Sequence, residues 1–160
     1  MNNLLKIILY SSVFIAIYRG FKVVTVTNNS EIDTLARTIW GEARGEGYSG
    51  MVAVANVVMN RVNRGGWYGL TVSEVCKKPK QFSCWNVSDP NYNKIQNVTI
   101  ADNQFLQAVN IATQAINGSL MDITGGATEY HTRSIKPNWN YAKLEQTAEI
   151  GNHIFYRSLA

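Results

Sequence analysis

Among the acidic side chains, Glu42 stands where position alone gives it chemistry. Ile32, Leu35, Ala36 and Ile39 recur at helical spacing, and Glu42 continues that stripe three residues past Ile39. An acid on the apolar face of a helix is partly desolvated, which favours its neutral form. A carboxylic acid kept protonated near neutral pH is what a glycosidic oxygen needs as a proton donor. The plainer role for Glu42 is a helix end that points to solvent or pairs with Arg44. Glu46 follows four residues later and shares the face if the helix continues. Glycines at 41, 45, 47 and 50 argue against that, which leaves Glu46 solvated or structural. Cys84 with His131 offers a different chemistry, a thiol nucleophile and its base. Two histidines in all, with no His-containing pair at ligand spacing, speak against a zinc site, and no metal or cofactor is expected.

These residues need elements to position them. Ser30-Glu31-Ile32-Asp33 reads as a helix start, and that helix runs into Gly41. A second helix begins near Ser49, with Met51, Val54, Ala55, Val58 and Val62 on one face. Arg61 and Arg64 fall in its last turn, and Gly65-Gly66 ends it. Thr71-Val72-Ser73-Glu74 caps a short helix through Cys76. Residues 77–97 contain Pro79 and Pro90 and read as a long ordered loop of the functional kind. A third long helix spans 102–117. Residues 127–132 and 153–156 are short, aromatic and β-leaning. Helices first and a small sheet last make an α+β domain.

Residues 1–27 stand apart from this domain, which is expected to span 28–160. The run 7–18 carries no charge and has Lys6 as its basic flank. It is shorter than a comfortable membrane span of ~20 residues and resembles the apolar part of a signal peptide or a signal-anchor, expected as an N-terminal apolar helix. That predicts export to the periplasm or cell envelope, with membrane contact through this segment. Three of the 15 Lys and Arg (Lys6, Arg19 and Lys22) precede the first acid, so most of the +4 net charge belongs to the leader. The remainder is close to neutral, which excludes a typical nucleic-acid module. In an exported chain, Cys76 and Cys84 are expected to close a short disulfide loop; in a cytosolic one they stay reduced.

The blocks LARTIWGEARGE, GMVAVANVVMNRV, CKKPKQFSCW, GATEYHT, PNW and IGNHIFYR occur in that order over residues 32–157. Together they resemble the cell wall hydrolase family of spore cortex-lytic enzymes, the SleB/CwlJ catalytic domain. The resemblance implies a lysozyme-like fold: a helical core, a small antiparallel sheet, and one Glu at the end of the first helix as general acid/base. That residue is Glu42, the first acid of the GEARGE block, which the register argument also singles out. The implied substrate is the peptidoglycan glycan strand, cut between N-acetylmuramic acid and N-acetylglucosamine by a protein expected to be monomeric. Glu46 is a candidate second group of the site. The block Gln81-Phe82-Ser83-Cys84-Trp85 matches a substrate-groove wall, with Gln81 and Ser83 as hydrogen-bonding groups and Phe82 and Trp85 as sugar-stacking faces. Tyr130 is expected near the catalytic Glu, with His131 lining the cleft and Trp139 as a further groove aromatic.

One obvious acid, rather than the facing pair of ordinary glycosidases, favours a lytic transglycosylase, unless the distant Asp89, Asp102 or Glu129 folds in as a second carboxyl. In that reaction the muramoyl C6 hydroxyl attacks its own anomeric carbon. The alternatives are a muramidase using the same site, a thiol peptidase or amidase using Cys84 and His131, and a non-catalytic wall-binding module. The short layout, a leader and one catalytic domain, fits a phage endolysin or small envelope hydrolase better than a spore enzyme.

Overall fold

The structure, a computed structural model, describes residues 8–10, 13–15 and 27–159. Most of the expected leader lies outside the described residues. Its described parts, β1 (Ile8–Tyr10) and β2 (Val13–Ile15), pair antiparallel, so they are not the expected apolar helix. Among the described residues no helix is long and apolar enough to cross a membrane.

The helical part begins with α1 (Thr27–Ala43). The helix starts earlier than the expected Ser30, so that the polar Asn28-Asn29-Ser30 stretch lies in its first turn. Glu31 is spent elsewhere than on a cap: its carboxylate accepts from the Ser73 backbone N–H at 3.0 Å and from the Ser73 hydroxyl. Leu35, Ala36 and Ile39 are buried as the stripe predicts, Ile32 is partly buried against the core, and Trp40 is buried beside them. α2 (Gly47–Arg64) is the central helix, buried almost all round from Gly50 to Val58. It stops where expected. Gly65 takes φ +64°, a left-handed conformation cheap for glycine, and its N–H returns to the Arg61 and Val62 carbonyls.

α3 (Val72–Lys77) is capped by Thr71, whose hydroxyl accepts from Glu74 N–H at 3.1 Å. The stretch expected as one long loop carries a 3-10 turn (Ser83–Trp85) and α4 (Tyr92–Asn97). Both are too short to show a periodicity, and Ile95 and Cys84 pin them to the core. α5 (Asn103–Ile116) starts at Asp102, whose carboxylate accepts from Phe105 N–H at 2.9 Å.

The sheet is antiparallel with spatial order β3 (Glu129–Thr132), β5 (His153–Ser158), β4 (Leu144–Ile150). β4 was not expected. Its sequence LEQTAEI is polar because most of its side chains reach solvent, and it bulges between Gln146 and Ala148. A small second core of Ala53, Val57, Ala127 and Phe155 fixes the sheet to α2. The class is α+β as expected, with β3 as an edge strand facing the end of α1.

Candidate active site

Three separate segments meet at Glu42. The helix stripe carries its side chain, half-buried, to the last turn of α1. Its Oε1 accepts from the Cys84 backbone N–H at 3.4 Å, and its Oε2 from the Tyr130 hydroxyl at 3.1 Å. The first contact depends on Gly41. A Cβ there would lie 2.9 Å from Cys84 Cβ and 3.0 Å from its Sγ, so a side chain would push the 3-10 turn away. The second depends on β3: Tyr130 pairs with Phe155, stacks on its ring at 5.6 Å and meets the edge of His153 at 5.1 Å. Burial, and then the charge of Glu42, push the Tyr130 phenol well above its ordinary value, so it stays a donor.

Glu42 opens onto a groove of about 590 Å³ between the helices and the sheet. Gln81, Ser83, Tyr130, His131 and Trp139 line it as expected. Gln81 is occupied: its Oε1 accepts from Arg61 at 3.1 Å and its Nε2 donates to the Tyr68 carbonyl at 2.8 Å. Ser83 is exposed, and its hydroxyl helps hold Asp89 below the usual carboxylate range. His131 stacks on Tyr156 at 5.4 Å and has both ring nitrogens engaged, with the Thr132 carbonyl at 2.8 Å and the Tyr156 hydroxyl at 3.3 Å.

Other expectations are corrected. Phe82 is 1% exposed and lies in the core under the Arg61 guanidinium, 5.0 Å from its ring centre, so it offers no sugar face. Trp85 packs against the helical core and donates its indole N–H to Thr38 Oγ1 at 2.9 Å, away from the groove. Glu46 does not line the groove. Its carboxylate accepts from Asn152 N–H at 3.0 Å and from the Asn152 amide at 3.3 Å, clamping the turn between β4 and β5, and the backbone donor lowers its pKa. Cys76 and Cys84 form no disulfide; both are free and buried. Cys76 is on the core side of α3 and Cys84 is packed over Gly41, so each thiol is held by its own packing. Burial pushes Cys76 up to about 12, and burial with the nearby Glu42 charge pushes Cys84 far above the ordinary thiol range. A thiol so disfavoured as thiolate, whose expected base His131 has both ring nitrogens engaged elsewhere, is not an activated nucleophile.

Arg61 was not assigned to the groove from the sequence, and Glu129 only as a distant acid that could fold in. Arg61 was assigned to the helix end, yet it is buried. It donates from Nε to the Thr128 carbonyl at 2.7 Å and pairs with Glu129 at 3.4 Å. Its place three residues past Val58, in apolar register, was the available signal. Glu129 also accepts from the Tyr68 hydroxyl at 2.6 Å and lines the same groove as Glu42. Among the described residues no group of three or more His, Cys, Asp or Glu is placed to hold a metal ion.

The chain matches the Cell Wall Hydrolase family over residues 45–156. It is 33% identical over 138 residues to the spore cortex-lytic enzyme of Bacillus cereus, a match that covers 86% of this chain and 48% of that protein. The spore cortex-lytic enzyme of Oceanobacillus iheyensis is 32% identical over 134 residues, covering 80% of this chain and 42% of the relative. The chain thus spans about half the length of the curated relatives it matches. The solved catalytic domain of the Bacillus cereus SleB protein superimposes with a TM-score of 0.59 at 30% identity, covering 88% of this chain and 95% of that one. The catalytic domain of the germination-specific lytic transglycosylase SleB from Bacillus anthracis gives a TM-score of 0.57 at 30% identity, covering 88% and 100%. The family match takes in most of the sequence, and the chain belongs to the Cell Wall Hydrolase family.

Proposed function

We propose that this member of the Cell Wall Hydrolase family cuts peptidoglycan glycan strands between N-acetylmuramic acid and N-acetylglucosamine as a lytic transglycosylase. The observation that carries the reading is the setting of Glu42: a half-buried carboxyl on a groove, with one donor fixed on each oxygen. Glu42 gives its proton to the bridging oxygen as the bond to the muramoyl C1 breaks, and the glucosamine departs with a free C4 hydroxyl. The muramoyl C6 hydroxyl then bonds to C1, and its proton passes to the Glu42 carboxylate, which restores the acid. Between these steps the Cys84 N–H and the Tyr130 hydroxyl hold the carboxylate in place, and donors positioned in advance need no reorganisation as charge develops.

Glu129 favours a second reading, a muramidase in which water attacks, because it brings a second carboxyl to the groove. Against it, one Glu129 oxygen is paired with Arg61 and the other is taken by Tyr68, so both are engaged in contacts within the protein. The description of the Bacillus anthracis neighbour as a lytic transglycosylase also favours the intramolecular route. In this reading the chain acts outside the cytoplasm and residues 1–27 are its export segment. The test is Glu42→Gln. Release of soluble fragments from purified peptidoglycan should fall by about 10²–10⁴-fold, the usual contribution of a general acid/base, with circular dichroism unchanged. Undiminished release would remove Glu42 from the mechanism.

A further inference from the structure

We infer that a second hollow, beyond Trp139, is a distal subsite that takes one further saccharide unit of the strand. The inference rests on the glycan-cleaving reading above and extends it. The hollow measures about 340 Å³ and is lined by Glu129, Asn138, Trp139, Asn140 and Leu144, with Ser158 at its edge. That is the small end of ligand pockets, sized for a single ring rather than a strand. Glu129 and Trp139 line both this hollow and the groove of Glu42, so they form a saddle between the two. A strand lying in the groove and continuing over Trp139 would place its next ring in the hollow.

The saddle is built to be rigid. The Trp139 ring is braced by His131 at 5.5 Å and by Tyr156 and Tyr141, each at 6.1 Å. Its backbone is tied by Trp139 N–H to the Pro137 carbonyl at 2.9 Å, and by Tyr141 N–H to the Trp139 carbonyl at 3.0 Å. A fixed aromatic face costs little further ordering when a ring packs on it.

The polar groups select the kind of ligand. Glu129 uses one acceptor position on each oxygen, for Tyr68 and for Arg61, and its side chain keeps 25% exposure. A carboxylate has about four acceptor positions, so two remain. Because Arg61 already meets its charge, those positions suit neutral donors such as sugar hydroxyls and acetamide N–H groups rather than a substrate ammonium. Asn138 and Asn140 flank the indole and are exposed, and their side-chain amides make no hydrogen bond among the described residues. Each offers both a donor and an acceptor, the complement of a hydroxyl-rich ring.

Binding energy from a remote part of the substrate is expressed as faster turnover of longer substrates. The experiment measures kcat/KM on peptide-free glycan oligomers of graded length, for the full chain and for a variant carrying Asn138→Ala and Asn140→Ala. The full chain should prefer the longer oligomers. In the variant that preference should shrink by about 10-fold, the effect of losing two neutral hydrogen bonds. An equal fall at every length, with the long-to-short ratio intact, would overturn the subsite, and so would no fall at any length. A preference that appears only on strands bearing stem peptides would also overturn it, because the hollow would then hold peptide. If the full chain cleaves glycans without any length preference, the subsite fails while the glycosidase reading stands; if it cleaves none, both fail.

Discussion

At the scale of single residues, the role proposed for Glu42 depends on the two donors that hold its carboxyl. Tyr130→Phe deletes one of them and leaves the ring stacked on Phe155, so the fold should be kept. A hydrogen bond to a charged group contributes about 1.5–3 kcal/mol, so kcat on peptidoglycan should fall by about 10–100-fold, further than any fall in Tm explains. An unchanged kcat would show that Tyr130 is a bystander. His153 tests the same corner through pH. It is buried, its Nδ1 has no hydrogen-bond partner among the described residues, and burial lowers its pKa below its ordinary 6.5. His131 adds to that lowering, while Glu46 and Glu42 oppose it. Around pH 6 the unfolded chain therefore binds the proton more readily than the folded one. His153 contributes stability above about pH 6.5 that is lost as pH falls through its folded pKa. The Tm gap between the native chain and His153→Gln should narrow from pH 7.5 to pH 5; a gap that widens would reverse the assignment. Glu42 was legible from its register. Arg61 obeyed the same register but was read as a helix-end charge, since a buried guanidinium makes sense only once Glu129, Gln81 and the Thr128 carbonyl surround it.

At the scale of elements, the site depends on how closely the 3-10 turn approaches α1. Gly41→Ala gains about 1 kcal/mol in helix propensity. Its new Cβ would meet Cys84 Cβ at 2.9 Å, and Cys84 Sγ and Ile95 Cγ2 at 3.0 Å. These atoms are near the backbone or buried, so they yield only with the turn itself. Overpacking of this kind costs about 1–3 kcal/mol and should outweigh the propensity gain. Thermal denaturation should show a lower Tm, and activity should fall further than the Tm alone explains, because the Cys84 N–H moves off Glu42. A more stable, fully active variant would contradict the close approach. The long helices were legible because an apolar stripe repeats over many turns of each. β4 and α4 were not: β4 is polar on most of its length, and α4 is too short for a pattern and is held by the single buried Ile95. Phe82 and Trp85 misled for a related reason, since an aromatic in a loop reads the same whether it faces a groove or the core.

At the scale of the whole molecule, the groove exists only because the sheet is docked against the helices. α1 supplies the acid, α2 the arginine that anchors Glu129, and β3 the tyrosine, the histidine and Glu129 itself. The order of these parts along the chain was visible as separate motifs. Their convergence was expected only through the family resemblance; no spacing in the sequence shows it, because it is made by the small core of Ala53, Val57, Ala127 and Phe155. The relatives that the chain matches are spore cortex-lytic enzymes, which lends no support to the expected endolysin role. An intramolecular attack driven by Glu42 leaves a chain end unlike that of hydrolysis. Mass spectrometry of the fragments released from purified peptidoglycan tests it most directly. The fragments should carry 1,6-anhydromuramoyl ends that disappear with Glu42→Gln; reducing muramic acid ends, or free stem peptides with intact glycan, would overturn the proposed mechanism.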